Sequence, residues 1–133
     1  MLDPEFNKGI EVIVLPNLYG DIVTDVAAEH QGGLGTASSS NIGNKYAMFE
    51  AIHGTAPFLM SHGRGNYADP CSLIRAAGML MAHIGYGDRK EILDKALDIC
   101  TITEKKLVVT TDVDGATAAE FTDYLIDTIN RMK

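Results

Sequence analysis

The chain has little of what marks several large protein classes. Two cysteines in 133 residues are too few for a disulfide framework, and Cys71 and Cys100 both fall in apolar helical patterns, so the sequence predicts two buried free thiols in a reducing compartment. Basic residues are scarce: eleven Lys plus Arg against eighteen Asp plus Glu give a formal net charge of −7. That balance repels nucleic-acid backbones and anionic membrane surfaces, so neither is an expected partner. No apolar run approaches the roughly 20 residues needed to span a bilayer, and the opening MLDPEF has no basic-then-apolar secretion signal. Repeats and low-complexity tracts are absent, as is a GxGxxG box after a strand: Gly33, Gly35 and Ser38 do not supply one. The histidines lack the spacing of a zinc site. At 46% hydrophobic and 22% charged residues, what is left is an ordinary globular composition.

Within that composition the order of elements is readable. Residues 11–15 are β-branched and apolar and read as a short buried strand ended by Pro16 and Asn17. Ile22, Val23, Val26 and Ala27 recur at helical spacing over 19–31, which places a helix start at Gly20 and Asp21 and a stop at Gly32 and Gly33. A loop rich in Gly, Ser and Asn follows over 32–44, then a strand over 47–52, the turn HGTAP (53–57) and a polar stretch to Asp69. Pro70 opens a helix predicted over 71–86, with Leu73, Ile74, Ala77, Leu80, Met81 and Ile84 as its packing face. Residues 89–105 are amphipathic, 107–110 form a strand candidate, and 117–132 form a last helix with Phe121, Leu125 and Ile129 inward.

Asp21 and Asp25 stand four residues apart at the start of the first helix, so their carboxylates share one face about 5 to 6 Å apart at Cβ. Alone, the pair reads first as a capping Asp plus a solvated one, and second as a hard-cation site. Mg²⁺ or Mn²⁺ takes one or two carboxylates and leaves its remaining positions to water and substrate oxygens.

The pair has company. NLYGDIVTD (17–25), GGLG (32–35), NIG (41–43), FEAIHGTAP (49–57), DPCSLIRAAGML (69–80) and TTDVDGATAAEF (110–121) follow in order. Together they resemble the isocitrate/isopropylmalate dehydrogenase family over nearly the whole chain. The resemblance implies an α/β fold of that type, C-terminal portion, with a dinucleotide site that is not of the Rossmann kind. Residues 1–31 would be the end of a small, dimer-forming domain carrying the metal helix, and 32–133 the C-terminal half of a large cofactor-binding domain. Asp21 and Asp25 would ligate Mg²⁺ or Mn²⁺, which chelates the α-hydroxyl and α-carboxylate of a 2-hydroxy acid. His53, Gly54, Thr55, Ala56 and Pro57 would wrap the adenosine of the cofactor, with Gly35, Asp69 and Thr111 also at that site.

The departures from the family pattern carry information too. Members that use NADP commonly place Lys then Tyr after HGTAP, and a Tyr and an Arg in the tail, to hold the 2′-phosphate. Phe58, Leu59, Thr111 and Asp114 stand there instead, which predicts NAD over NADP. NAD-dependent relatives usually carry an acidic residue where Phe58 is, the loop over 58–69 is longer than usual, and Arg64 lies within reach. Asp69 replaces the usual Asn. The substrate-binding serine and arginines, the catalytic tyrosine and lysine, and a third metal aspartate all precede NLYGD in the family, and none is found in residues 1–16. The chain therefore reads as a C-terminal fragment, inactive alone, with no catalytic residue beyond the metal ligands.

FEAIHGTAP and NIG favour isocitrate as substrate, with isopropylmalate or homoisocitrate as alternatives. A noncatalytic regulatory subunit of the same family and a plain interaction domain are the competing readings. A homodimer or higher oligomer is expected, in the cytoplasm or, in a eukaryote, the mitochondrial matrix.

Overall fold

The computed structural model describes Lys8, residues 12–31 and residues 36–132. Helix α1 spans Asn17–Gln31, strands β1 and β2 span Ser38–Ile42 and Ala47–Ala51, and the short helix α2 spans Pro57–Ser61. A single 3₁₀ turn, Gly65–Tyr67, precedes helix α3, Cys71–His83, and helix α4, Gly87–Asp98. A π turn, Ile99–Glu104, and helix α5, Ala118–Arg131, complete the chain. No helix among the described residues is long and apolar enough to cross a membrane.

The two strands form an antiparallel hairpin pairing Ser38 with Ala51 through Ile42 with Ala47. Gly43 N–H closes its turn on the Tyr46 carbonyl at 2.9 Å. Ala47, Phe49 and Ala51 alternate toward α3 while Met48 and Glu50 point outward. The ring of Phe49 meets His83, centroids 5.4 Å apart.

The core lies where α3, α4 and α5 meet, around Cys71, Ala96, Leu97, Cys100, Phe121, Tyr124 and Leu125. Gly78 lets α3 approach α4 closely, since a Cβ there would already touch Leu93 at 3.4 Å. Arg75 of α3 bonds Asp98 of α4 at 3.1 Å. Both cysteines are free and buried, as expected. Burial pushes the Cys71 thiol up, which leaves it an inert packing group. Helix α5 starts on a capping box: Glu120 N–H donates to Thr117 Oγ1 at 3.2 Å and Thr117 N–H to Glu120 Oε2 at 2.8 Å.

Several expectations are corrected. Val12 to Leu15 form no strand and are exposed, Val14 by 88%; no described strand pairs with them, and an apolar run without a ladder partner cannot satisfy its backbone as a strand. Residue 11 lies outside the described residues. The segment 107–110 forms no strand, and its Val108 carbonyl accepts one backbone bond, from Ala116 N–H at 2.9 Å. The serine-rich stretch read as loop contains β1, whose poor intrinsic β propensity is overridden by pairing with β2. Helix α3 ends at His83 because Gly85 adopts φ +97. It buries its small side, Cys71, Ser72, Ala76 and Gly78, and leaves Leu73, Leu80 and Ile84 exposed.

One ionic staple joins the π turn to α5. Glu104 accepts from Tyr124 Oη at 2.7 Å, from Lys106 Nζ at 2.9 Å and from both terminal nitrogens of Arg131 at 3.2 Å. Arg131 first, then Lys106 and Tyr124, hold its carboxyl at about 2, below the ordinary 4.5. A depressed carboxyl stabilises the fold fully above its unfolded pKa and loses that contribution as pH falls through the folded value. Urea midpoints should therefore fall from pH 4.5 toward pH 2, and Glu104→Gln should flatten that limb. An unchanged slope in the variant would remove Glu104 from the account.

Candidate functional site

Helix α1 begins at Asn17, so Asp21 and Asp25 lie beyond its first turn, which holds no acidic residue. The helix starts three residues before the expected Gly20, which leaves the pair too far from its N-terminus for the helix dipole to offset their repulsion. Thr24 between them donates to its own backbone, to the Gly20 carbonyl at 2.8 Å. Both aspartates face a cleft of about 500 Å³ whose other walls come from the hairpin and the turn after it: Ser39, Glu50, His53 and Gly54. Three carboxylates and no Lys or Arg line it. Their combined field favours a cation. Among the described residues no group of three His, Cys, Asp or Glu gathers at ligand spacing. The donors nonetheless fit Mg²⁺ or Mn²⁺ in kind, being hard, exposed oxygens beside open space for water and substrate.

Strand β2 delivers the HGTAP turn. Buried Ser72, in the first turn of α3, accepts Ile52 N–H at 3.3 Å and donates to the Ala37 carbonyl, tying the exit of β2 and the entry of β1 to one helix end. His53 Nδ1–H donates to the Gly54 carbonyl at 3.0 Å. Ala56 adopts a left-handed conformation, φ 46, and Pro57 then opens α2. A second cleft, about 350 Å³, lies under this turn, lined by His53, Gly54, Thr55, Ala56, Asp69 and Thr111 among others. Six of the eight residues assigned to the adenosine site from sequence thus line one cleft. Pro57 stands outside its lining, and Gly35 lies outside the described residues.

Asp69 and Thr111 close this cleft from opposite segments. Asp69 Oδ1 accepts Cys71 N–H at 2.8 Å and so caps α3 while facing the cleft. Thr111 has φ 64, a conformation a β-branched residue rarely adopts. Its turn is held by the Thr110 hydroxyl, which donates to Asp114 Oδ1 at 2.9 Å. At Gly115 a Cβ would come within 2.3 Å of Thr110 Oγ1, so the Asp114–Gly115 pair requires glycine.

The two clefts share His53 and Gly54 as a common wall. An acidic cleft and a second cleft of about 350 Å³ are therefore neighbours, one on each side of a single turn. Sequence reasoning passed over Glu50, Ser39 and Ser72; the outward position of Glu50 in an alternating strand was the available signal. Of the other histidines, His62 stacks on Phe58 at the surface, centroids 4.3 Å apart, and His83 packs on Phe49.

Residues 3–129 match the family described as isocitrate/isopropylmalate dehydrogenase. The chain belongs to that family. An NADP isocitrate dehydrogenase of Rickettsia typhi is 50% identical over 86 residues, covering 65% of this chain and 17% of the relative. A regulatory subunit of the mitochondrial NAD isocitrate dehydrogenase of Dictyostelium discoideum is 44% identical over 131 residues, 97% of this chain and 35% of the relative. The crystal structure of isocitrate dehydrogenase from Methylococcus capsulatus superposes with a TM-score of 0.76 at 31% identity, over 85% of this chain and 33% of that one. The α/β fold of the isocitrate/isopropylmalate dehydrogenase family is thereby established, and this chain spans at most about a third of the relatives named.

Proposed function

We propose that the chain supplies the metal-binding carboxylates and the adenosine cleft of an NAD-dependent oxidative decarboxylase that converts isocitrate to 2-oxoglutarate. The observation that carries this reading is the shared wall at His53 and Gly54, with an acidic cleft on one side and the six-residue cleft on the other. Asp21 and Asp25 would hold Mg²⁺ or Mn²⁺. Held there, such a cation would supply Lewis acidity to the α-hydroxyl of a 2-hydroxy acid, and the cofactor would supply the hydride acceptor. The protein's share is positioning: α1 presents the carboxylates, Ser72 fixes the turn between the clefts, and the HGTAP backbone encloses the adenosine.

Isocitrate, rather than isopropylmalate or homoisocitrate, is supported by FEAIHGTAP and NIG and by the names of the relatives. NAD is supported by Thr111 in the cleft lining, by Phe58 and Leu59 directly after HGTAP, and by Arg64, whose charge is engaged by Asp112 at 3.1 Å. Residues 1–31 would belong to the small domain and 32–133 to the large one. Exposed Leu18, Tyr19, Ile22 and Val26 on α1 support assembly with a second copy, in the cytoplasm or the mitochondrial matrix. The Dictyostelium relative favours a second reading, a regulatory subunit that binds without turning over; retention of both Asp21 and Asp25 weighs against it.

Gly54 gives the test. A Cβ there meets nothing within 4 Å and would project into open cleft, so Gly54→Val should leave the fold intact while filling ligand space. By calorimetry 5′-AMP should bind the natural chain, and at least about tenfold more weakly to the variant, with an unchanged melting midpoint. Equal binding by both proteins would overturn the adenosine assignment. Tighter binding of adenosine 2′,5′-bisphosphate than of 5′-AMP to the natural chain would overturn the preference for NAD.

A further inference from the structure

Across the rim of the adenosine cleft runs an ion pair between two segments far apart in the sequence. Arg64 lies between α2 and the 3₁₀ turn, and its Nη1 is 3.1 Å from Asp112 Oδ2 in the tail turn. The guanidinium sits 5.5 Å from the ring centroid of Phe58, the residue after HGTAP. Each partner adjoins a residue of the lining, Gly65 on one side and Thr111 on the other. The Arg64 side chain is 23% exposed and that of Asp112 58%. Asp112 is held doubly, because its Oδ1 also accepts Val113 N–H at 2.8 Å. These bonds, the backbone one first, keep its carboxyl below the ordinary range and hence charged at neutral pH.

A 2′-phosphate on the adenosine ribose is best recognised by a guanidinium, through paired charge-assisted bonds. Arg64 is the cation stationed at this rim, and Asp112 already neutralises it. A dianion arriving there would have to displace a carboxylate that is fixed to its own turn, and would be repelled while doing so. A 2′-hydroxyl meets no such opposition.

We propose that Asp112, by sequestering Arg64, is the residue that makes the cleft select a 2′-hydroxyl adenosine over a 2′-phosphorylated one. The proposal rests on the adenosine reading of the cleft and adds a mechanism for its selectivity. Asp112→Asn is a suitable probe, because the amide oxygen can still accept Val113 N–H and keep the turn while the charge is lost. The ratio of affinities for adenosine 2′,5′-bisphosphate and 5′-AMP, measured by calorimetry at pH 8 on the full 133-residue chain, should shift toward the bisphosphate by about tenfold or more in Asp112→Asn. It should return to the natural ratio in Arg64→Gln/Asp112→Asn, and added salt should shrink the shift. Circular dichroism of both variants checks the fold. An unchanged ratio in Asp112→Asn, or the same shift with Arg64 already removed, overturns the proposal while leaving the cleft an adenosine site. Failure of the natural chain to bind either nucleotide overturns that reading and this proposal with it.

Discussion

Replacing Asp21 and Asp25 together by Asn is expected to abolish high-affinity divalent-cation binding. The cleft they face owes its negative field to three carboxylates, and amide oxygens carry no net charge to offset the dehydration of Mg²⁺ or Mn²⁺. Loss of even outer-sphere partners costs metal sites about 10- to 100-fold in affinity, so loss of both charged ligands should cost at least about a hundredfold. Mn²⁺ titration followed by electron paramagnetic resonance reads this directly. The fold should not suffer: like charges four residues apart cost a helix about 0.2 to 0.5 kcal/mol, and their removal leaves α1 equally or slightly more stable. Glu50→Gln should weaken binding less, since its carboxylate already accepts Asn41 Nδ2 at 3.0 Å. Undiminished Mn²⁺ binding in the double variant would remove α1 from the site. A natural chain that fails to bind Mn²⁺ would favour the regulatory-subunit reading.

How much of this was legible in the sequence depended on whether the deciding interaction was local. Thr117 and Glu120 are three apart and state their capping box outright. The alternation over β2 and the Pro70 helix start are equally local. Strand β1 was hidden because Ser38, Ser39 and Ser40 carry no strand signal of their own; their conformation comes from bonds to residues 49–51. The reverse holds at 12–15 and 107–110, where apolar β-branched side chains signal a strand but no ladder is supplied. For the site, ordered motifs brought His53 through Ala56, Asp69 and Thr111 to one cleft although 58 residues separate the first from the last. Glu50, Ser72 and Asp112, the partner of Arg64, escaped notice. Each acts through a contact with a distant segment, and residue identity alone does not announce it.

Leu97→Ala is expected to be among the most damaging substitutions in the chain, and Leu73→Ala among the mildest, although both leucines lie on apolar helix faces. Leu97 is fully buried within the cluster that joins α3, α4 and α5. Truncating such a leucine removes apolar contact and leaves a cavity, at a cost of about 2 to 5 kcal/mol. Against a typical total of about 5 to 15 kcal/mol, that is enough to bring the chain near unfolding at moderate urea. Leu73 is 61% exposed, so its truncation loses little burial and gains slightly in helix propensity, within about 0.5 kcal/mol either way. The contrast reaches the clefts. The core holds Cys71, whose N–H is capped by Asp69, and Val109, two residues before Thr111. Loosening Leu97 should therefore weaken 5′-AMP binding in proportion to the unfolded fraction, with no change in the affinity of the folded molecules. Urea midpoints shifted equally by the two substitutions would mean that the α3 face carrying Leu73 is covered in solution, and that the core is not confined to the α3–α4–α5 junction.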